Sequence, residues 1–139
     1  MAQTIPITGI LIVTTPQDVA MNVAVKSIGM FNKLNIPLIG VVENMSYLLC
    51  PNCKEKINIF GKGGGQKISD QFNIPFIGEI PLTSQIMQGS DEGRSIIISQ
   101  PNSEYSQVFH KIAKITAGRI SVVALELQDQ EEKEKEIPH

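Results

Sequence analysis

The sequence predicts an α/β fold of three layers, with a parallel sheet held between helices. Three observations predict it. Apolar runs of strand length stand at residues 9–14, 37–42 and 75–80 and read as strands covered on both faces rather than alternating with polar residues. The segment joining the first two carries apolar residues at helical spacing and has about the length that a crossover between parallel strands needs. The runs also close in polar or proline-bearing turns, the end at which open parallel sheets place their ligand loops.

The elements follow in chain order. GILIVT, residues 9–14, is the first strand and stops at Thr15-Pro16-Gln17-Asp18. Thr15 is placed to cap a helix, Pro16 suits a first helical position, and Asp18 completes a capping box. The helix spans about 16–34, with Ala20, Ala24, Ile28, Phe31 and Leu34 on one face, until Asn35 and Pro37 end it. The second strand, 37–42, is interrupted by Gly40 and runs into a polar turn at Glu43 and Asn44, followed by Cys50-Pro51-Asn52-Cys53.

A short extended piece at Ile57–Phe60 leads through the glycine-rich connection Gly61–Lys67 to a helix ending at Phe72, then to the third strand, 75–80, closed by Pro81. That is a second β-α-β unit with the cysteine loop inserted in it. Thr83–Gln88 reads as a short helix and Gly89–Gly93 as a loop. A long helix over 103–117 follows, with the stripe Tyr105, Val108, Phe109, Ile112 and Ile115. Residues 118–128 fit strand or helix equally. One domain is expected over 1–128, and 129–139 reads as a charged, frayed tail, because mixed charges without apolar spacing do not pack.

The chain has 139 residues, is 42% apolar and bears a net charge of -2. The run 129–136 accounts for -3 of this, leaving +1 elsewhere. A body so near neutral, without a basic stripe, predicts no nucleic-acid binding. No apolar run reaches the roughly 20 residues of a membrane span. Two cysteines at C-x-x-C spacing and no secretory leader point to a reducing cytoplasm, where such a pair serves metal or redox chemistry.

Three places have residues suited to chemistry. Gly61–Ile68, GKGGGQKI, looks like a phosphate cradle but departs from the P-loop pattern at Gln66 and Ile68, so it reads as a flexible connection. Cys50 and Cys53 supply two thiolates, whereas zinc and iron-sulfur centres take four ligands. The pair therefore shares a metal with a second chain, acts as a thiol redox couple, or is inert. A redox pair favours a helix directly after it, and the segment after Cys53 does not read as one. Finally, Asn44 and Pro81 each stand just past a strand end, where a carboxamide and free backbone groups suit a purine edge.

In this order, VTTPQDVA, GVVENMSY, CPNC, IFGKGGG, PFIGEIPL and GSDEG resemble the Mrp/Nbp35 family of iron-sulfur cluster carrier ATPases, deviant P-loop NTPases related to the cell-division ATPase MinD. The resemblance covers nearly all of residues 1–128 and corresponds to the C-terminal half of the family fold. It implies an adenine contact at Asn44, with the backbone of Ile80, Pro81 and Leu82 beside it and Asp91 near the nucleotide. It implies that Cys50 and Cys53 ligate a 4Fe-4S cluster shared between two chains of a homodimer, and that scaffold and recipient apoproteins are the partners. ATP and magnesium belong to the intact family. The Walker A and switch segments are not found in this sequence, so no ATP hydrolysis is expected of this chain alone. The first strand is also expected to present an open apolar edge. Two other readings stay beside this one: a non-enzymatic, metal-bridged dimerisation module, and a small C-x-x-C redox protein.

Overall fold

The computed structural model describes residues 5–135. In chain order its elements are β1 (Ile10–Thr14), α1 (Asp18–Lys33), β2 (Leu38–Glu43), β3 (Leu48–Leu49), β4 (Lys56–Ile57), α2 (Gly64–Phe72), β5 (Phe76–Glu79), α3 (Ser84–Asp91), α4 (Ile96–Ser99) and α5 (Glu104–Lys135). The three expected strands form one sheet in the order β1-β2-β5, parallel throughout. Strands β3 and β4 pair antiparallel as a separate hairpin.

The pleat decides which residues meet which helices. Ile12 and Val41 turn to one face, where Ala24 and Ile28 of α1 and Ile68 of α2 close the core. Val42 and Ile77 turn to the other, against Ile86 of α3 and Val108, Phe109 and Ile112 of α5. The result is the three-layer α/β arrangement expected. Central strand β2 is buried continuously from Ile39 to Glu43, which is why its sequence shows no polar alternation. Among the described residues β1 is an edge strand, paired only with β2, and Val13 on it is 58% exposed. An apolar groove of about 530 Å3 runs between this edge and α1.

Local details depart from the sequence reading for identifiable reasons. Thr15 does not cap α1: Gln17 holds the cap position in extended conformation, and the helix starts at Asp18. Pro16 lies outside the helix, packed beneath Gly61 and Gly64, and the Thr15 hydroxyl is buried without a partner. Helix α3 passes through Gly89 and ends at Asp91, because the left-handed residue that stops it is Gly93 (φ 67°). Three of the five residues of the expected 89–93 loop are therefore helix. The short helix α4, capped by Ser95, is an addition.

Helix α5 settles residues 118–128 as helix and continues through the charged segment to Lys135, where a frayed tail was expected. Ser103 starts it by accepting the Ser106 N–H. Val123, 5% exposed, anchors its second half beside Ile36 and Pro37. Beyond that anchor the residues are good helix formers, with Asp129 and Glu131 four positions before Lys133 and Lys135. Residues 136–139 of the expected tail lie outside the described residues.

Gly40 sets how closely β2 and β5 approach. A Cβ there would sit 2.5 Å from Ile77 Cγ1 and 2.8 Å from the Pro75 carbonyl. Gly40→Ala should therefore lower stability by about 1–3 kcal/mol, the usual cost of overpacking. Urea denaturation checks this, and an unchanged midpoint would contradict the packing described.

Candidate functional site

The carboxyl end of β2 organises the site. Glu43 is fully buried and accepts from two donors: the Ser46 hydroxyl at 2.6 Å, and the backbone N–H of Gly65 in the first turn of α2. The sequence places Glu43 in a polar turn with Asn44; the structure puts it at the buried end of β2 instead. Its place at a helix N-terminus suits an acidic group, since the unpaired N–H groups and the helix dipole both favour negative charge there. Ser46 opens the insertion that carries the cysteines and Gly65 closes it, so one side chain grips both ends.

This contact explains the glycine-rich segment. A Cβ on Gly65 would lie 2.9 Å from the Phe76 ring and 3.0 Å from Glu43 Cβ, and one on Gly64 would meet Met21 and Pro16. Gly63 adopts φ 70° to start α2. Gly64 and Gly65 serve close backbone approach and Gly63 the left-handed cap, where a flexible connection was expected.

Between the two ends stands the β3–β4 hairpin, with the cysteines at its turn. Cys50 donates its N–H to the Glu55 carbonyl and accepts from the Lys54 N–H, both at 2.9 Å, so its main chain is fixed on both sides. Lys54 takes a left-handed conformation, φ 62°, to make the turn. Both thiols are free; Cys50 is half-buried and Cys53 exposed. The Cys50 thiol is held below the ordinary thiol range by the backbone N–H groups of Cys53 and then Asn52 directed at its sulfur, with the Cys53 side chain and the Lys54 charge adding to them. A sulfur so surrounded is suited to bind as thiolate. Strand β4 follows Cys53, so the helix that favours a thioredoxin-type couple is not there. Among the described residues no third Cys, His, Asp or Glu joins the pair.

The hairpin is tied to the sheet through the strand following β5. Leu82 N–H donates to the Tyr47 carbonyl at 2.7 Å, and Leu48 and Leu82 form a parallel bridge. Lys56 lies over the Tyr47 ring, 4.1 Å from its centroid, and 4.0 Å from Glu79. Burial, with help from Glu79, pushes the Tyr47 phenol up.

On the other side of Leu82 lies a cavity of about 220 Å3 in which Asn44, Pro81, Leu82 and Asp91 come together, with Ile86 and Met87 as apolar wall. Of the expected purine contacts, Ile80 stands apart. Its side chain is in the core, its N–H donates to the Glu43 carbonyl, and its carbonyl accepts from Ser46 N–H. Asn44 is fixed by its N–H to the Thr14 carbonyl, and its side-chain oxygen accepts from Met45 N–H, so its NH2 is what remains for a ligand. Glu43 and the packed glycines are the residues missed by sequence reasoning. The available signal was a carboxylate ending an apolar, doubly covered strand.

A family model described as ParA, NUBPL iron-transfer P-loop NTPase, matches residues 1–117. The iron-sulfur cluster carrier protein of Aquifex aeolicus is 43% identical over 115 residues, 83% of this chain and 32% of that protein. The iron-sulfur cluster transfer protein NUBPL of Dictyostelium discoideum is 39% identical over 123 residues, 88% of this chain and 38% of that one. The chain thus spans 32–38% of the length of these relatives. Among solved structures, the nucleotide-binding protein of Archaeoglobus fulgidus in complex with ADP superposes with a TM-score of 0.58 at 35% identity, over 73% of this chain and 41% of that one. No helix among the described residues is long and apolar enough to cross a membrane.

The double contact at Glu43 has a measurable consequence. Glu43→Ala strips both donors of their partner and leaves a cavity, so it should cost about 2–5 kcal/mol. Glu43→Gln should cost less, because its oxygen can take the Gly65 N–H while its NH2 donates to a turned Ser46 hydroxyl. Chemical denaturation compares the two, and equal losses would contradict the geometry.

Proposed function

Given that this chain belongs to the ParA family of NUBPL iron-transfer P-loop NTPases, we propose that it is the part of an iron-sulfur cluster carrier that holds the cluster, with Cys50 and Cys53 as its ligands. The observation that supports this is the hairpin turn: two thiols, one of them held below the ordinary thiol range, stand clear of the sheet with no third ligand among the described residues. A four-iron cluster takes four protein sulfurs. Two such turns facing each other across a two-fold axis supply them, so the proposal includes a homodimer with one cluster shared between its hairpins. The cluster is cargo, received from a scaffold protein and handed to recipient apoproteins.

The cavity beside Leu82 is the second part of the proposal. Asn44 and Asp91 at its polar end, and Pro81, Leu82 and Met87 along its side, suit the edge and faces of a purine ring. The Archaeoglobus fulgidus relative holds ADP. In this reading the chain contributes the base contact of an ATP site. Hydrolysis needs a phosphate cradle and magnesium ligands, and Gly61, Gly64 and Gly65 are taken up in packing. Two free thiols fit a reducing cytoplasm as the place of action.

Anaerobic reconstitution with iron and sulfide tests the proposal. About one four-iron cluster per two chains is expected, with Cys50→Ala and Cys53→Ala each losing it. Iron held by a monomer, or iron retained when either cysteine is replaced, would refute the shared cluster.

A further inference from the structure

The two cysteines are not equivalent, and their difference bears on release of the cargo. The Cys50 main chain is bonded on both sides, to Glu55 and to Lys54, and its side chain is half-buried. Cys53 sits at the exposed end of the same turn. An acceptor that approaches from solvent therefore reaches the iron on the Cys53 side first.

We infer, on the basis of the cluster-carrying reading, that Cys53 is the ligand displaced first during hand-over and that Cys50 is the ligand that lets go last. The step is a ligand exchange. The acceptor's thiol sulfur bonds to iron, the bond between that iron and Cys53 Sγ breaks, and the acceptor's proton ends on Cys53 Sγ. Iron keeps its number of sulfur ligands and no electron is transferred. Geometry sets the order: the Cys53 side chain is open to solvent, whereas Cys50 is half-buried with its main chain bonded on both sides, and it moves only if the turn itself opens. After the first exchange the cluster is held by the acceptor, by Cys50 and by the two cysteines of the second chain, so hand-over proceeds through a bridged intermediate.

The test uses the reconstituted chain and ethane-1,2-dithiol as acceptor, under anaerobic conditions. Samples are quenched at intervals with iodoacetamide in large excess, and alkylation at each cysteine is mapped by mass spectrometry. The metal-free chain, quenched identically for long enough to alkylate both thiols fully, removes intrinsic exposure as the cause of any order. The expected result is an early, several-fold excess of chains alkylated at Cys53 alone over chains alkylated at Cys50 alone, fading as both become free. Simultaneous release, or Cys50 first, overturns the inference while leaving the cluster on the pair. If neither cysteine is protected in the loaded chain, the cluster-carrying reading falls, and this inference with it.

Discussion

A single carboxyl group, that of Glu43, joins the sheet to everything that lies beyond its carboxyl edge. Burying such a group is costly unless its oxygens are met, and here Ser46 meets one and the first turn of α2 meets the other. Because those two donors are the entry and the exit of the cysteine-bearing insertion, satisfying the carboxyl also closes the loop. Glu43 itself cannot shift, since it ends the strand that pairs on both sides and is covered on both faces.

The hairpin needs this support. Two strands of two residues each are far below what holds together alone in water. The Lys56–Glu79 ion pair is largely exposed and contributes little. What positions the cysteine turn is the grip at its base, together with the Leu82 bond and the Leu48–Leu82 bridge. Leu82 also walls the cavity containing Asn44 and Asp91, so the two parts of the candidate site share one strand of backbone.

Much of this was legible in the residues. Continuous burial of β2 writes an unbroken apolar run, and the stripe Val108, Phe109 and Ile112 does pack on the sheet. The meeting of Asn44 and Pro81 was legible from their places just past two strand ends, whereas Leu82 and Asp91 came only from the family resemblance, because no periodicity links positions so far apart in the chain. Glu43 was misread because glutamate next to asparagine normally marks a solvated turn, and its partner lies 22 residues away. The glycines at 61–65 were misread for a similar reason. Flexibility and close approach call for the same residue, and only the neighbours Pro16, Met21 and Phe76 tell them apart. The end of α5 was missed because charge alone argues for fraying, whereas a helix already anchored by Val123 extends at little cost.

Amide hydrogen exchange in Glu43→Gln, compared with the unaltered chain, tests most directly whether the Glu43 contact holds the cysteine turn in place. The amides to follow are Cys50 and Lys54 in the turn and Leu82 beside it, with Val41 and Ile28 as reporters of the core. If the carboxyl is the clasp, the turn and Leu82 lose protection well before the core does. If turn and core change together, or the turn keeps its protection, the hairpin is held by something else and the account is wrong.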